Sequence, residues 1–364
     1  MLFPYIYVPH QMEKMQEFVD FIFHEMWCKA PDSGSFRLDL FLPHPDLHQV
    51  MTAFHYSDSW GAEFFSGHVQ RIYQLFAELN DTDIRQFRQW YQANNDIEKI
   101  CINDPATNIA RYADLQNHHA DLNGQLASFF KGLYSQQLLD LTVLRDKIGK
   151  IDDHYRIFTQ ENNEGKCPFC GLGDIKGLNH TKREAYDHYL PKALYPFNSI
   201  NFRNLAPTCH ECNSTYKLSK DPVHTQAGRR KAFYPYATGA HNIDITIDLN
   251  NPDIDSLTPA DIQLTFGPAA AHEEIETWKE VYGIEERYKT KLCGENDGKY
   301  WLMQMLDEWR EDGRAPDDYL QTLSRHADRK PFAESNFLKK PFLEAFQAIG
   351  IFNTSEAAEN DHQQ

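Results

Sequence analysis

Apolar residues recur three and four positions apart over long stretches of the first 160 residues. In EFFSGHVQRIYQLFAELN (63–80) and TNIARYADLQNHHADLNGQLASFFKGLY (107–134) they line one face of a 3.6-residue period, so both predict amphipathic helices sharing a core. DIRQFRQWYQANN (83–95) repeats the pattern, with Thr82 or Asp83 as its expected cap and a turn at Asn80-Asp81. MLFPYIYVP (1–9) suits a short strand or an extended arm. Near residue 162 the texture changes: NNEGKCPFCGLGDIKGLN is rich in Gly and Asn, as a knuckle or hairpin should be. IDITIDL (243–249) and IQLTF (262–266) alternate and predict strands of a small sheet. HEEIETWKEVYGIEERYKTKL, GKYWLMQMLDEWRED and NFLKKPFLEAFQAIGI return to the helical period, and the last dozen residues read as a frayed tail. No internal repeat or low-complexity segment interrupts the pattern. The expected class is mainly α with a small α+β part.

Composition narrows the compartment. The chain has 364 residues, 41% hydrophobic and 13% aromatic, enough for a sizeable core and a smaller module. No run of eighteen apolar residues predicts a membrane span, and the start has neither a basic n-region nor an apolar h-region, so a cytoplasmic protein is expected. Of seven cysteines, Cys28, Cys101 and Cys293 are scattered; the other four form two C-x2-C pairs. In a reducing compartment that pattern indicates metal binding rather than disulfides.

Charge at first argues against nucleic acid, because the net value is −17. Its distribution reverses the inference. Between Lys166 and Lys231 eleven Lys/Arg stand against five Asp/Glu, a local +6, which leaves −23 on the remainder. One island can face phosphates while the rest repels them.

Cys167-Pro-Phe-Cys170 and Cys209-His-Glu-Cys212, separated by 38 residues, can give four thiolates to one tetrahedral zinc. Gly171 eases the tight turn after the first pair. A closed four-thiolate site has no open position, so this zinc would be structural. His210 lies inside the second knuckle but is not needed as a ligand. A redox dithiol lacks the β and α signals that would frame it.

Between and after the knuckles stand Asp187-His188-x-x-Pro191, then Asn204-Leu205, Asn213 directly after Cys212, and Lys217. This order, over about one sixth of the chain (residues 165–220), resembles the HNH nuclease motif in its H-N-N form. The resemblance implies a central ββα-metal module, a β-hairpin and helix folded over one divalent cation, with the four-cysteine zinc beside it and helical regions on both sides. More loosely, DHYLPK and NFLKK with its following helix resemble HNH proteins of bacterial anti-phage systems such as Septu and some retrons.

The residue types suit that chemistry. His188, with an ordinary pKa near ~6.5, is a natural general base. Asp187 is a hard oxygen ligand for Mg²⁺ or Mn²⁺, and Asn213 supplies a second, neutral oxygen. By the motif, Asn204 braces the loop that aims His188. Lys217, one turn after Asn213, is expected to reach a phosphate, with Lys192 and Arg203 as weaker candidates. The expected organisation is a helical domain (1–160), the nuclease module (161–235), a strand-plus-helix region (236–350) and a flexible tail (351–364). The expected activity is DNA hydrolysis with little sequence specificity. An RNA nuclease, perhaps tRNA-directed, and a non-catalytic zinc module that recruits a partner remain open. An island of only +6 predicts weak DNA binding, so residues 1–160 are expected to dock a protein such as an ATPase or sensor.

Overall fold

Asn80 begins one of the core helices, its side-chain oxygen accepting the backbone N–H groups of Thr82 (2.9 Å) and Asp83 (3.1 Å). The helix Asp81–Asn95 therefore starts earlier than the expected cap at Thr82 or Asp83. The computed structural model describes residues 1–239 and 242–352, so most of the expected tail lies outside the described residues. These residues form a mostly helical protein with small antiparallel sheets, divided into two compact units.

The larger unit comprises Pro4–Gly165 and Ile175–Gly239. Helices Lys14–Phe21, Trp60–Phe76, Asp81–Asn95, Ala120–Gly132 and Ile151–Glu161 turn their apolar stripes onto one core. Trp27 lies at its centre, stacked on Phe76, with its indole N–H donated to the Val69 carbonyl at 3.0 Å. Phe197, Ile200, Phe202 and Leu205 join the same core, so the segment after His188 is packed among the N-terminal helices. Phe197 has φ +79°, which costs roughly 1–3 kcal/mol for a non-glycine residue. Its ring is fully buried among Phe23, Tyr91 and Phe130, and burying a Phe returns about 1.5–3 kcal/mol. Packing and strain are of one size here.

Strands β1 (Ala185–His188) and β2 (Leu205–Thr208) pair antiparallel, with Asp187 opposite Ala206 and His188 opposite Leu205. A short helix with π-type winding, Glu211–Lys217, follows. The residues after Phe3 run as an extended arm: Tyr5 donates its backbone N–H to Pro235 O and its hydroxyl to Pro207 O. A minimal pair, β3 (His224–Thr225) and β4 (Gly228–Arg229), completes this unit.

The smaller unit contains Met1–Phe3, Lys166–Asp174 and the described residues from 242 onward. Strands β5 (Asp244–Leu249) and β6 (Ile262–Gly267) pair antiparallel where the alternation predicts a sheet. The helical stretch 272–292 breaks at Gly283, whose φ of +60° ends His272–Tyr282 before Ile284–Leu292 begins. Helix Pro316–Arg329, absent from the sequence reading, starts with proline at its first position, a favoured place because that N–H needs no partner. No helix among the described residues is long and apolar enough to cross a membrane.

Candidate functional site

The first knuckle is a tight turn: Cys167 N–H donates to Gly173 O at 2.8 Å, and Gly171 N–H to Cys167 O at 2.7 Å. Gly171 has φ +70°, and a Cβ there would press on Leu2 Cδ1 at 2.5 Å and on the Phe337 ring at 2.8 Å, so the position favours glycine. Tyr288 donates its hydroxyl to Cys170 O at 2.9 Å and Trp278 its indole N–H to Phe169 O, which fix the turn from behind. The second pair leads into the helix Glu211–Lys217, with Asn213 N–H on Cys209 O at 3.0 Å. Cys167, Cys170, Cys209 and Cys212 are all buried, and their sulfurs lie within 4.8 Å of one another. Four thiolates around zinc stand about 3.8 Å apart at ordinary Zn–S lengths, so this set can hold the ion with little adjustment.

Asp187 on β1 is 4% exposed, and Lys217, the last residue of helix Glu211–Lys217, is 0% exposed. Lys217 Nζ donates to Asp187 Oδ1 at 3.0 Å and to the His188 carbonyl at 2.9 Å. The lysine is thus turned inward from the helix rather than presented to a phosphate. A buried carboxylate needs a counter-charge, and Lys217 is the cation that reaches it. Burial raises the Asp187 pKa above the ordinary carboxylate value, and Lys217 opposes the rise. Asp187 Oδ2 is buried with no hydrogen-bond partner among the described residues.

His188 is half-buried, and its Nε2 lies 2.9 Å from the Ser199 carbonyl. A carbonyl only accepts, so Nε2 carries the proton and Nδ1 keeps its lone pair. Burial first, then the charge of Lys192, pushes the His188 pKa down to about 3, which keeps the ring neutral at physiological pH. The Tyr134 ring meets it edge-on at 5.0 Å.

Asn204 is fully buried behind this pair. Its Oδ1 accepts Leu190 N–H at 2.7 Å, and its Nδ2 donates to Leu190 O at 3.1 Å and Asn198 O at 3.3 Å. Asn198 in turn donates to Asn94 O at 3.0 Å, and Asn94 to Pro196 O at 3.0 Å. The loop carrying the Ser199 carbonyl is therefore tied at both ends and to helix Asp81–Asn95. Neither Asn198 nor Ser199 was singled out from the sequence. The signal available was asparagine at every third position in PFNSINFRN. On the other side of β1, buried His154 bonds the Tyr186 hydroxyl through Nδ1 and Val8 O through Nε2.

Asn213 is half-buried, four positions before Lys217 on the same helix. Lys192 is half-buried, donates to Lys131 O at 3.3 Å and lies 5.9 Å from the Tyr134 ring. Arg203 stacks over Tyr7 at 4.2 Å and borders a hollow of about 600 Å³ lined also by Asp20, Asp96 and Glu98. Those carboxylates make its surroundings unfavourable to a phosphate.

No family model matches the chain, and no solved structure matches it. Protein ea31 of Escherichia phage lambda is 36% identical over 97 residues, covering 26% of this chain and 28% of that protein. Septu protein PtuB of Bacillus thuringiensis is 33% identical over 66 residues, covering 17% of this chain and 24% of that protein. The chain spans about a quarter of the length of the curated relatives it matches. It is therefore distantly similar to a Septu protein and carries a four-cysteine cluster.

Proposed function

We propose that the protein is a metal-dependent endonuclease of the HNH type, hydrolysing DNA phosphodiester bonds as the effector of an anti-phage system. The observation that carries this reading is the adjacency on β1 of a buried carboxylate with one unpartnered oxygen and a neutral histidine with its Nδ1 lone pair available. A buried orphan oxygen costs stability unless something binds it. In this reading β1, β2 and the helix Glu211–Lys217 are the ββα element. A divalent cation, Mg²⁺ or Mn²⁺, held by Asp187 and Asn213 would neutralise charge developing at phosphorus and on the leaving 3′ oxygen.

His188 takes the proton of the attacking water on Nδ1, while the Ser199 carbonyl holds the ring at Nε2. The depressed pKa makes His188 an available but weak base; the negative charge of a bound phosphodiester raises its proton affinity when it is needed. Lys217 favours the ionised form of Asp187 against the effect of burial, and Asn204 positions the loop. The four cysteines hold zinc as a structural staple. The name of the similar Septu protein supports a defence setting. Tyr56 and Trp60, 80% and 58% exposed, support a docking face on residues 1–160 for an ATPase or sensor.

One observation favours a non-catalytic zinc module instead: the Asp187–Lys217 pair is a satisfied buried ion pair on one oxygen. Cleavage of supercoiled plasmid with Mg²⁺ or Mn²⁺ decides between them, with total RNA assayed in parallel. Asp187→Ala and His188→Ala should each lose at least about a hundredfold in rate. Full turnover in His188→Ala removes the mechanism, and cleavage of RNA alone replaces DNA as substrate.

A further inference from the structure

We infer that the groove between helix Ile151–Glu161 and the segment 177–185 is the track along which a duplex DNA backbone reaches Asp187 and His188. This inference rests on the nuclease reading. The groove has a volume of about 550 Å³ and is lined by Arg156, Lys182, Arg183 and His180, with Asp152 as its carboxylate. Three permanent cations against one carboxylate reverse the balance of a chain with 36 Lys/Arg and 53 Asp/Glu. The hollow bordered by Arg203 has the opposite sign, with three carboxylates, so the groove and not that hollow suits a polyanion.

Its position connects it to the site. Ala185, the first residue of β1, lines the groove. Residues two apart on a strand share a face, so Asp187 follows Ala185 on one face about 6.7 Å further along, and His188 follows Tyr186, whose ring Arg183 lies against, on the other. Arg183 is fixed beside that strand, with its guanidinium 5.8 Å from the Tyr186 ring, Nη1 on Glu184 O at 3.0 Å and Nε on Asp152 Oδ1 at 2.8 Å.

The cations are also available. Lys182 is exposed and makes no hydrogen bond or ion pair among the described residues. Arg156 is 70% exposed and its contact with Asp153 is 3.8 Å long. Asp152 is 77% exposed. Exposed pairs of this kind contribute little and are screened by salt, so a phosphate can replace the carboxylates. The buried Asp187–Lys217 pair offers no such exchange. A groove open to solvent fits a backbone passing through it, whereas small-ligand sites enclose most of the ligand.

The test compares the full chain with Arg156→Ala/Lys182→Ala, and with Arg85→Ala/Arg329→Ala as an exposed control. Binding of a short labelled duplex is measured by fluorescence anisotropy across a salt series without magnesium. An RNA hairpin and an acidic peptide are run in parallel. Loss of two phosphate contacts should lower the slope of log K against log salt by about 1.8, with the control unchanged. An unchanged slope in the groove variant, an equal loss in the control, or no duplex binding by the wild-type chain overturns the track. Preference for the RNA hairpin or the peptide overturns the duplex assignment. Plasmid cleavage separates the two readings: groove-dependent binding without cleavage defeats the nuclease and leaves the track. Cleavage with groove-independent binding defeats the track and leaves the nuclease.

Discussion

Replacing Lys217 with methionine keeps most of the buried stem and removes the charge. In the wild-type chain its ammonium serves the Asp187 carboxylate and the His188 carbonyl, in a site where neither side chain exceeds 4% exposure. The substitution leaves Asp187 Oδ1 and the His188 carbonyl without that donor, beside an Oδ2 that already lacks one. Breaking a buried pair from one side costs about 3–5 kcal/mol, because the remaining charge is stranded. A surface lysine bound for a phosphate would cost within about 0.5 kcal/mol. The deficit should also depend on pH. Without Lys217 the folded-state pKa of Asp187, already raised, climbs further above its unfolded value. The folded state then holds the proton more tightly, so stability falls as pH rises from the unfolded pKa through the folded one. Lys217→Met should therefore be more damaged at pH 8 than at pH 5. Urea unfolding at both pH values measures this, with Asp187→Asn and the double variant completing a cycle. The double variant should be less destabilised than the sum of the two single changes, since no lone charge remains. A Lys217→Met chain as stable as wild type at pH 8, or strictly additive effects, would refute the buried-pair account.

Two further outcomes test the parts around that pair. Asn204→Ala removes the acceptor of Leu190 N–H and should cost about 1–3 kcal/mol in urea unfolding; Asn204→Asp keeps that acceptor but turns a buried carboxylate oxygen onto the carbonyls of Leu190 and Asn198, so it should lose at least as much. Cys167→Ser and Cys212→Ser should each give insoluble protein or a lower melting temperature, because structural zinc binding is part of the folding free energy. Absence of zinc from freshly purified wild-type protein, by elemental analysis, contradicts that assignment.

Periodicity made helix Trp60–Phe76 and the β5–β6 sheet legible, since each depends on the local spacing of apolar residues; the stretch 107–134 shows the same spacing but forms two helices, Tyr112–His118 and Ala120–Gly132, broken at His119 with φ −147°. Paired cysteines carried the metal cluster, because spacing alone limits what they can hold. The direction of Lys217 was not legible. Helical spacing places it on a face with Asn213, but only the neighbouring strand decides whether that face meets solvent or a carboxylate. Arg203 reads as a phosphate ligand in a basic segment, yet its neighbours Asp20, Asp96 and Glu98 come from distant positions. Asn198 and Asn94 were invisible for the same reason: 104 residues separate the partners of one bond.

Because Phe197 and the asparagines root the His188 loop in the N-terminal helices, the histidine cannot hold its aim unless those helices are folded. A fragment beginning near residue 160 would keep every residue of the motif and lose the core that sets its geometry. Under the nuclease reading this makes hydrolysis conditional on completeness: a nicked, heat-damaged or half-synthesised copy is harmless to its own cell. The same rooting means that the motif cannot be moved to another scaffold as a short cassette; the helices must travel with it.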